Sequence, residues 1–459
     1  MNALALFVAL VAAYVAGGLV LWNLWPGRTR PVVLLGAFAL PTGVGVTSVA
    51  FFFWRLIPFD AIHLYRWIEA FVLVAAVLGT RHRFKRKGRG RIRITWPGHF
   101  VPARDGLAMI GLVSAVAVAA VHTGIKAAGN SWGVWDAWAR INLKARFLYG
   151  GGMNWKWIFE SDDIRHRDYP LLVECSVARL WSWSGNISLL EPQAISMLCG
   201  AASLAVLVSA VWWVGTPLLA TIVALAYLAN TTVSYWAAMQ YADLPLITYV
   251  IMASAMFAAS QRYRSHQYRF TLLAGVFAGL AAWCKNEGIA FALVLTAIYL
   301  LAQLRRHKQF WTTFGMLAIG LATSGLAVLI LKIGFCLKDE ILRKRTESMI
   351  AQFLDGERHR MIFEAVLQEG VKFWELGALA LLAVAAAIHL STFERRQTAL
   401  VLLGFAILTG WYYLALVAAS PDLNWHLTTA LQRLMLQLWP LGLLGMAYLR
   451  RPDRRPSSR

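Results

Sequence analysis

Apolar runs of about 17 to 25 residues alternate along this chain with short polar, mostly basic segments, and a helix of that length crosses the roughly 30 Å hydrocarbon core of a bilayer. The pattern predicts spans near 3–22, 32–54, 62–79, 105–125, 188–214, 216–232, 243–260, 270–284, 287–303, 311–334, 374–391, 397–419 and 434–449. These thirteen crossings define an all-α, polytopic membrane protein. No basic residue precedes the 3–22 run, whereas a secretory signal starts with a charged segment, so the run is read as a retained span. Two long connections, 126–187 and 335–373, interrupt the alternation.

Composition agrees with a membrane protein and changes one point. Of 459 residues 59% are hydrophobic and 15% charged, with 21 Trp and a mean hydropathy of +0.57. The net charge of +21 invites a nucleic-acid reading until its distribution is considered. The cations cluster at Arg28 and Arg30, in "RHRFKRKGRGRIR" (81–93), "QRYRSHQYR" (261–269) and "RRHK" (305–308), at Arg395 and Arg396, and in the tail "RRPDRRPSSR". With thirteen spans these loops all fall on one face, the positive-inside pattern of a cytoplasmic side. The 81–93 run then serves topology and anionic lipid, with no nucleic-acid partner. Both long loops, and the carboxylates they carry, fall outside. Cys175, Cys199, Cys284 and Cys336 have neither metal-type nor redox-type spacing and are read as passive.

Candidate chemistry gathers on the outer side. In "SWGVWDAWARINLKARFLY" (131–149), Trp135, Trp138, Ile141, Leu143, Ala145 and Leu148 fall broadly on one stripe, with Arg140, Lys144 and Arg146 elsewhere. That pattern predicts an amphipathic helix lying in the interface. Asp136 sits near its start, either as a functional carboxylate or as an acid favoured by the helix dipole. In "ESDDIRHRDYPLL" (160–172), Asp162, Asp163, His166 and Asp168 offer general-base chemistry or a divalent-cation site, or form a solvated acidic loop. Asp243 in "QYADLPLITY" precedes a Pro and starts an apolar helix, so it also reads as an N-cap. In "WCKNEGIAF", Lys285, Asn286 and Glu287 form the tip of a tight hairpin closed by Gly288, either pairing with each other or meeting an anionic headgroup. The 421–440 stretch carries Asp422, His426 and, within an apolar helix, Arg433, a costly residue there unless paired or facing a polar cavity.

Taken together these stretches resemble the GT-C superfamily of integral membrane glycosyltransferases, in particular its protein O-mannosyltransferase and aminoarabinose-transferase branch. The matching elements are W-D-x-W at the start of the first long outer loop, H-x-D-Y-P-L from His166 to Leu171, A-D-L-P-L at 242–246, K-N-E-G at 285–288 and the late W-H-L…R-L helix. The resemblance divides the chain into an N-terminal module of about three spans with its basic loop (1–104), a GT-C-like core with interfacial helices in the first outer loop (105–450) and a basic tail (451–459). It implies transfer of a sugar from a polyprenyl-phosphate carrier to a lipid, glycan or protein acceptor on the outer face of the plasma membrane. Asp136 takes the place of the catalytic carboxylate. Lys285 and Arg433 are expected at the phosphate, and Asp162 and Asp163 at the reacting centre, with or without a divalent cation. His166, Asp168, Asp243, Glu287 and His426 are expected to contact substrate. The competing class is a transporter or flippase of lipid-linked or anionic cargo, which places its ionisable groups near the bilayer midplane.

Overall fold

The computed structural model describes residues 2–58, 61–86, 93–95, 102–161, 166–303, 307–335, 346–374, 395–418 and 422–448. Helices dominate: α1 (Asn2–Leu24), α2 (Val32–Arg55), α3 (Ile62–Arg86), α4 (Pro102–Gly129), α5 (Asn142–Gly150), α6 (Leu172–Ser184), α7 (Leu190–Val214), α8 (Pro217–Leu228) and α9 (Thr231–Ala238). They continue with α10 (Asp243–Arg262), α11 (Gln267–Cys284), α12 (Asn286–Gln303), α13 (His307–Leu329), α14 (Thr346–Leu354), α15 (Gly356–Trp374), α16 (Arg395–Val417) and α17 (Leu423–Tyr448). The long helices such as α1, α2, α7 and α12 are apolar on most faces, as a buried or lipid-facing helix must be.

Nine of these helices among the described residues are long and apolar enough to cross a membrane, or ten with one bent pair. Four of the expected thirteen are not among these nine, each for a local reason. The 216–232 run divides into α8 and α9, bent by 67° where Asn230 caps the second helix by accepting from the Thr232 N–H. The 270–284 run is α11, whose polar first turn and complete envelopment by α10, α12 and α13 relieve it of the need to be strongly apolar. The 434–449 run belongs to the longer α17, which carries Gln432, Arg433 and Gln437. The 374–391 run lies outside the described residues, apart from its first position.

Small residues let these helices approach closely, the usual device where lipid supplies no hydrophobic drive for association. A Cβ on Gly43 of α2 would lie 1.7 Å from the Ala13 carbonyl oxygen of α1, and one on Gly17 would lie 1.9 Å from the Ala39 carbonyl. Gly320 of α13 stands against α11 in the same way, 2.3 Å from the Leu272 carbonyl. Gly43→Val should accordingly destabilise the protein by about 1–3 kcal/mol or more. Gly18→Val, where nothing lies within 4 Å, should not. Thermal unfolding of both variants in detergent checks the pair, and equal midpoints would refute the close crossing.

Polar ties fix the N-terminal helices to the rest. Arg179 of α6 pairs with Glu69 of α3 at 2.8 Å and donates to the Ala9 carbonyl of α1. Ser48 of α2 donates to the Leu172 carbonyl and accepts from Trp283 Nε1. The two ends of the bundle differ in charge. At one end β1 (Thr29–Pro31) and β2 (Arg93–Thr95) pair in parallel, Arg269 donates to the Trp25 carbonyl, and His266 lies beside Gly27. Three of the basic loops thus meet there. α10 leads from that end at Arg262 to the opposite end at Asp243, where the carboxylates gather.

Candidate functional site

The first long loop does not form the uniform amphipathic α-helix its pattern suggests. A π-helical turn, Ala137–Ile141, precedes α5, and the Asn142 N–H bonds to the Ala137 carbonyl. The extra residue in this turn rotates the helix register, and π-turns recur at functional sites. The faces differ from the expected stripe: Arg140 and Lys144 are buried while Trp135 and Trp138 are about half exposed. The two Trp rings pack edge-on at 4.6 Å. Ile141, Ala145 and Leu148 are buried as expected.

Asp136 lies at the partly exposed edge of the site. Its backbone N–H donates to the Tyr241 hydroxyl at 3.0 Å, and its Oδ2 accepts from Arg433 Nη1 at 3.2 Å. The Asp136 side chain is 17% exposed, and among the described residues its Oδ1 has no hydrogen-bond partner. Burial raises its pKa, but Arg140 and Arg433 outweigh that and hold the carboxyl below the usual range. Beside it, burial pushes the Tyr241 hydroxyl up to about 12. Asp136 is ionised and Tyr241 neutral at physiological pH.

Asp243 is the hub. It is the first residue of α10, but Ala242 holds the N-cap position and the Asp243 carboxylate serves other elements. Fully buried, it accepts from Lys285 Nζ at 3.0 Å and Gln437 Nε2 at 2.7 Å on Oδ1, and from Arg433 on Oδ2 at 2.9 Å. Lys285 stands in extended backbone between α11 and α12 and also pairs with Glu287 at 2.6 Å. Gly288 permits this hairpin, since a Cβ there would lie 1.8 Å from the Ala281 carbonyl oxygen. Arg433 lies over the Tyr241 and Trp236 rings, at 4.5 and 5.5 Å, a favourable seat for a guanidinium. Tyr412 donates to Gln437 and orients it.

A second cluster adjoins the first. Asp168 accepts from Asn286 at 2.6 Å and from Lys332 at 3.0 Å, and Lys332 also reaches Asn286 Oδ1. Lys332 sits in another π-helical turn, Ile330–Gly334, at the end of α13. His166 adopts the left-handed backbone (φ 52°) and packs its ring on Tyr169. Lys144 is completely buried, and its Nζ donates to the His166 and Arg167 carbonyls at 2.7 and 3.2 Å.

Burial lowers the Lys144 pKa to about 7, with nearby Glu174 opposing. An unfolded lysine titrates near about 10.4. Between those values the unfolded chain binds a proton that the folded one lacks, so Lys144 makes stability rise with pH across that window. Lys144→Met should flatten the rise, as seen in unfolding midpoints from about pH 6.5 to about 9. A slope unchanged by the substitution would refute the assignment.

The structure therefore brings Asp136, Asp243, Lys285, Glu287 and Arg433 into one network, with Asp168 and His166 alongside. Asp162 and Asp163 lie outside the described residues. His426 is two turns before Arg433 on α17, its ring edge-on to Trp425. Among the described residues no group of three His, Cys, Asp or Glu side chains is placed to share a metal ion. Sequence reasoning passed over Lys332, a cation in an apolar span as conspicuous as Arg433, and Arg140, one turn beyond Asp136. Glu174, on α6 behind them, had no comparable signal. Comparison with known protein families, curated proteins and solved structures found no match to this chain.

Proposed function

We propose that this protein is a membrane glycosyltransferase that moves a sugar from a polyprenyl-phosphate-type carrier to an acceptor on the extracytoplasmic face of the plasma membrane, with Asp136 as base. One observation carries the reading: Asp136 keeps one carboxylate oxygen on Arg433 and, among the described residues, presents the other without a hydrogen-bond partner at the partly exposed edge of a charged cluster. A carboxylate so held accepts a hydrogen bond from an incoming hydroxyl without turning away. The acceptor oxygen forms a bond to the anomeric carbon as the bond from that carbon to the phosphate oxygen breaks. The phosphate departs with the bonding electron pair, and the acceptor proton passes to Asp136. Its low pKa suits late proton transfer, because the attacking hydroxyl becomes strongly acidic only as the new bond forms.

Asp243 acts behind Asp136 by fixing Arg433 and Lys285, whose positive charge favours the departing phosphate at short range. Asp168, with Asn286 and Lys332, ties the first outer loop to α12 and α13. Transport remains the rival class. Against it stands the placement of Asp243, Lys285 and Lys332 at helix ends, whereas carriers build their sites on broken helices near the midplane. The deciding experiment incubates purified protein in nanodiscs with a panel of radiolabelled polyprenyl-phosphate sugars and scores released carrier. Release with any donor supports transfer. None across the panel, together with movement of labelled lipid between leaflets in proteoliposomes, would establish transport instead.

A further inference from the structure

We infer that Arg140 is the residue that grips the phosphate of the lipid-linked donor, an assignment that rests on the glycosyl-transfer reading of this site. Five basic side chains converge here, and four have committed their donors. Each nitrogen of Arg433 faces a carboxylate oxygen, Nε and Nη2 on Asp243 and Nη1 on Asp136. Lys285 holds Asp243 and Glu287. Lys332 holds Asp168 and Asn286. Lys144 is spent on two backbone carbonyls.

Arg140 differs from all four. Its side chain is 4% exposed, yet its nearest carboxylate oxygens, Asp136 Oδ2 and Glu174 Oε1, are both 3.9 Å away, beyond hydrogen-bond reach. Among the described residues its Nε and Nη2 are buried without any hydrogen-bond partner. A buried guanidinium left in that state is expensive, and such orphans in a native fold call for an explanation. Nε and Nη2 form one edge of the guanidinium, the side-on fork that matches two oxygens of a phosphate or carboxylate. The group lies over the Tyr169 ring at 4.6 Å, which holds its plane. Asp136 is one helical turn away, so the fork and the base share a face. The leaving group and the attacking hydroxyl would then be served by residues four apart on one short element.

The test measures binding of a polyprenyl monophosphate to purified full-length protein, with the uncharged polyprenol and phosphatidylglycerol as parallel probes. The variants are Arg140→Gln, Arg140→Lys and, as a control for bulk charge, Arg146→Gln, which removes an exposed cation on the same helix. Polyprenyl phosphate should bind wild type and Arg146→Gln alike, and Arg140→Gln about tenfold to hundredfold more weakly, as expected for loss of a charge-assisted fork. Arg140→Lys should recover little, because a point charge lacks the fork. Polyprenol should bind all four proteins equally weakly. Equal phosphate affinity in wild type and Arg140→Gln would overturn the assignment while leaving the transferase reading intact. If Arg140→Gln does not fold, full affinity in Arg140→Lys would overturn it equally. Displacement of the ligand by an equal concentration of phosphatidylglycerol would also overturn it, since the site would then be a general lipid-anion site. Failure of wild type to bind polyprenyl phosphate would instead remove the transferase reading itself.

Discussion

Asp136→Asn should lower glycosyl transfer by about 100-fold or more while the protein still folds and inserts. The substitution preserves size, and the remaining amide oxygen can still accept from Arg433 Nη1, so the tie to α17 survives. What changes is the other atom. The group at the partly exposed edge becomes an N–H₂ donor, which cannot accept a hydrogen bond or a proton from an acceptor hydroxyl. Loss of the charge also leaves Arg433 with one carboxylate, Asp243, in place of two. The measurement is single-turnover release of carrier from a competent donor, beside the unfolding midpoint. Near-normal turnover would move the base role to the acids at 162–168, where Asp162→Asn and Asp163→Asn are expected to act less severely.

The parts of this protein visible in its sequence are those governed by one-dimensional rules. Span length and the clustering of Arg and Lys in short loops locate the helices and gather three basic segments at one end of the bundle. Likewise an arginine inside an apolar helix announces that a partner exists, because the membrane makes its absence costly. The identity of the partner is not legible. Arg433 meets Asp243, 190 positions away, and Asp136, 297 positions away, through the packing of α10 against α17. Asp243 was readable as a helix cap, since an acid before Leu-Pro at a helix start fits that role, and only tertiary contacts show its carboxylate turned to Lys285, Arg433 and Gln437. The 135–149 stretch sets Lys144 on the same helix face as Ile141 and Leu148 by a plain 3.6-residue period, so its charge hides a position that the fold buries. Arg140 and Lys144 face inward, and Trp135 and Trp138 are about half exposed.

Arg433→Ala should be the most destabilising substitution at the site, costing about 3–5 kcal/mol as a broken buried ion pair. Asp243 has no exposed surface, and its Oδ2 relies on Arg433 while Lys285 and Gln437 serve Oδ1. Without the arginine a buried carboxylate keeps its charge and loses half its coordination, and Asp136 loses the contact that orients it. The penalty belongs chiefly to the uncompensated charge, so removing that charge should return part of the stability. Arg433→Ala combined with Asp243→Asn should therefore be more stable than Arg433→Ala alone, the non-additivity that a double-mutant cycle detects for residues in contact. Arg433→Lys should rescue poorly. An ammonium cannot span Asp243 on α10 and Asp136 in the first loop as a planar guanidinium does, nor lie flat on Tyr241. Unfolding midpoints of wild type, Asp243→Asn and these three variants in one detergent provide the cycle. Strict additivity between positions 433 and 243, or a wild-type midpoint in Arg433→Ala, would mean that Arg433 does not carry the buried charge of Asp243. The network would then owe its order to Lys285 and Gln437 alone.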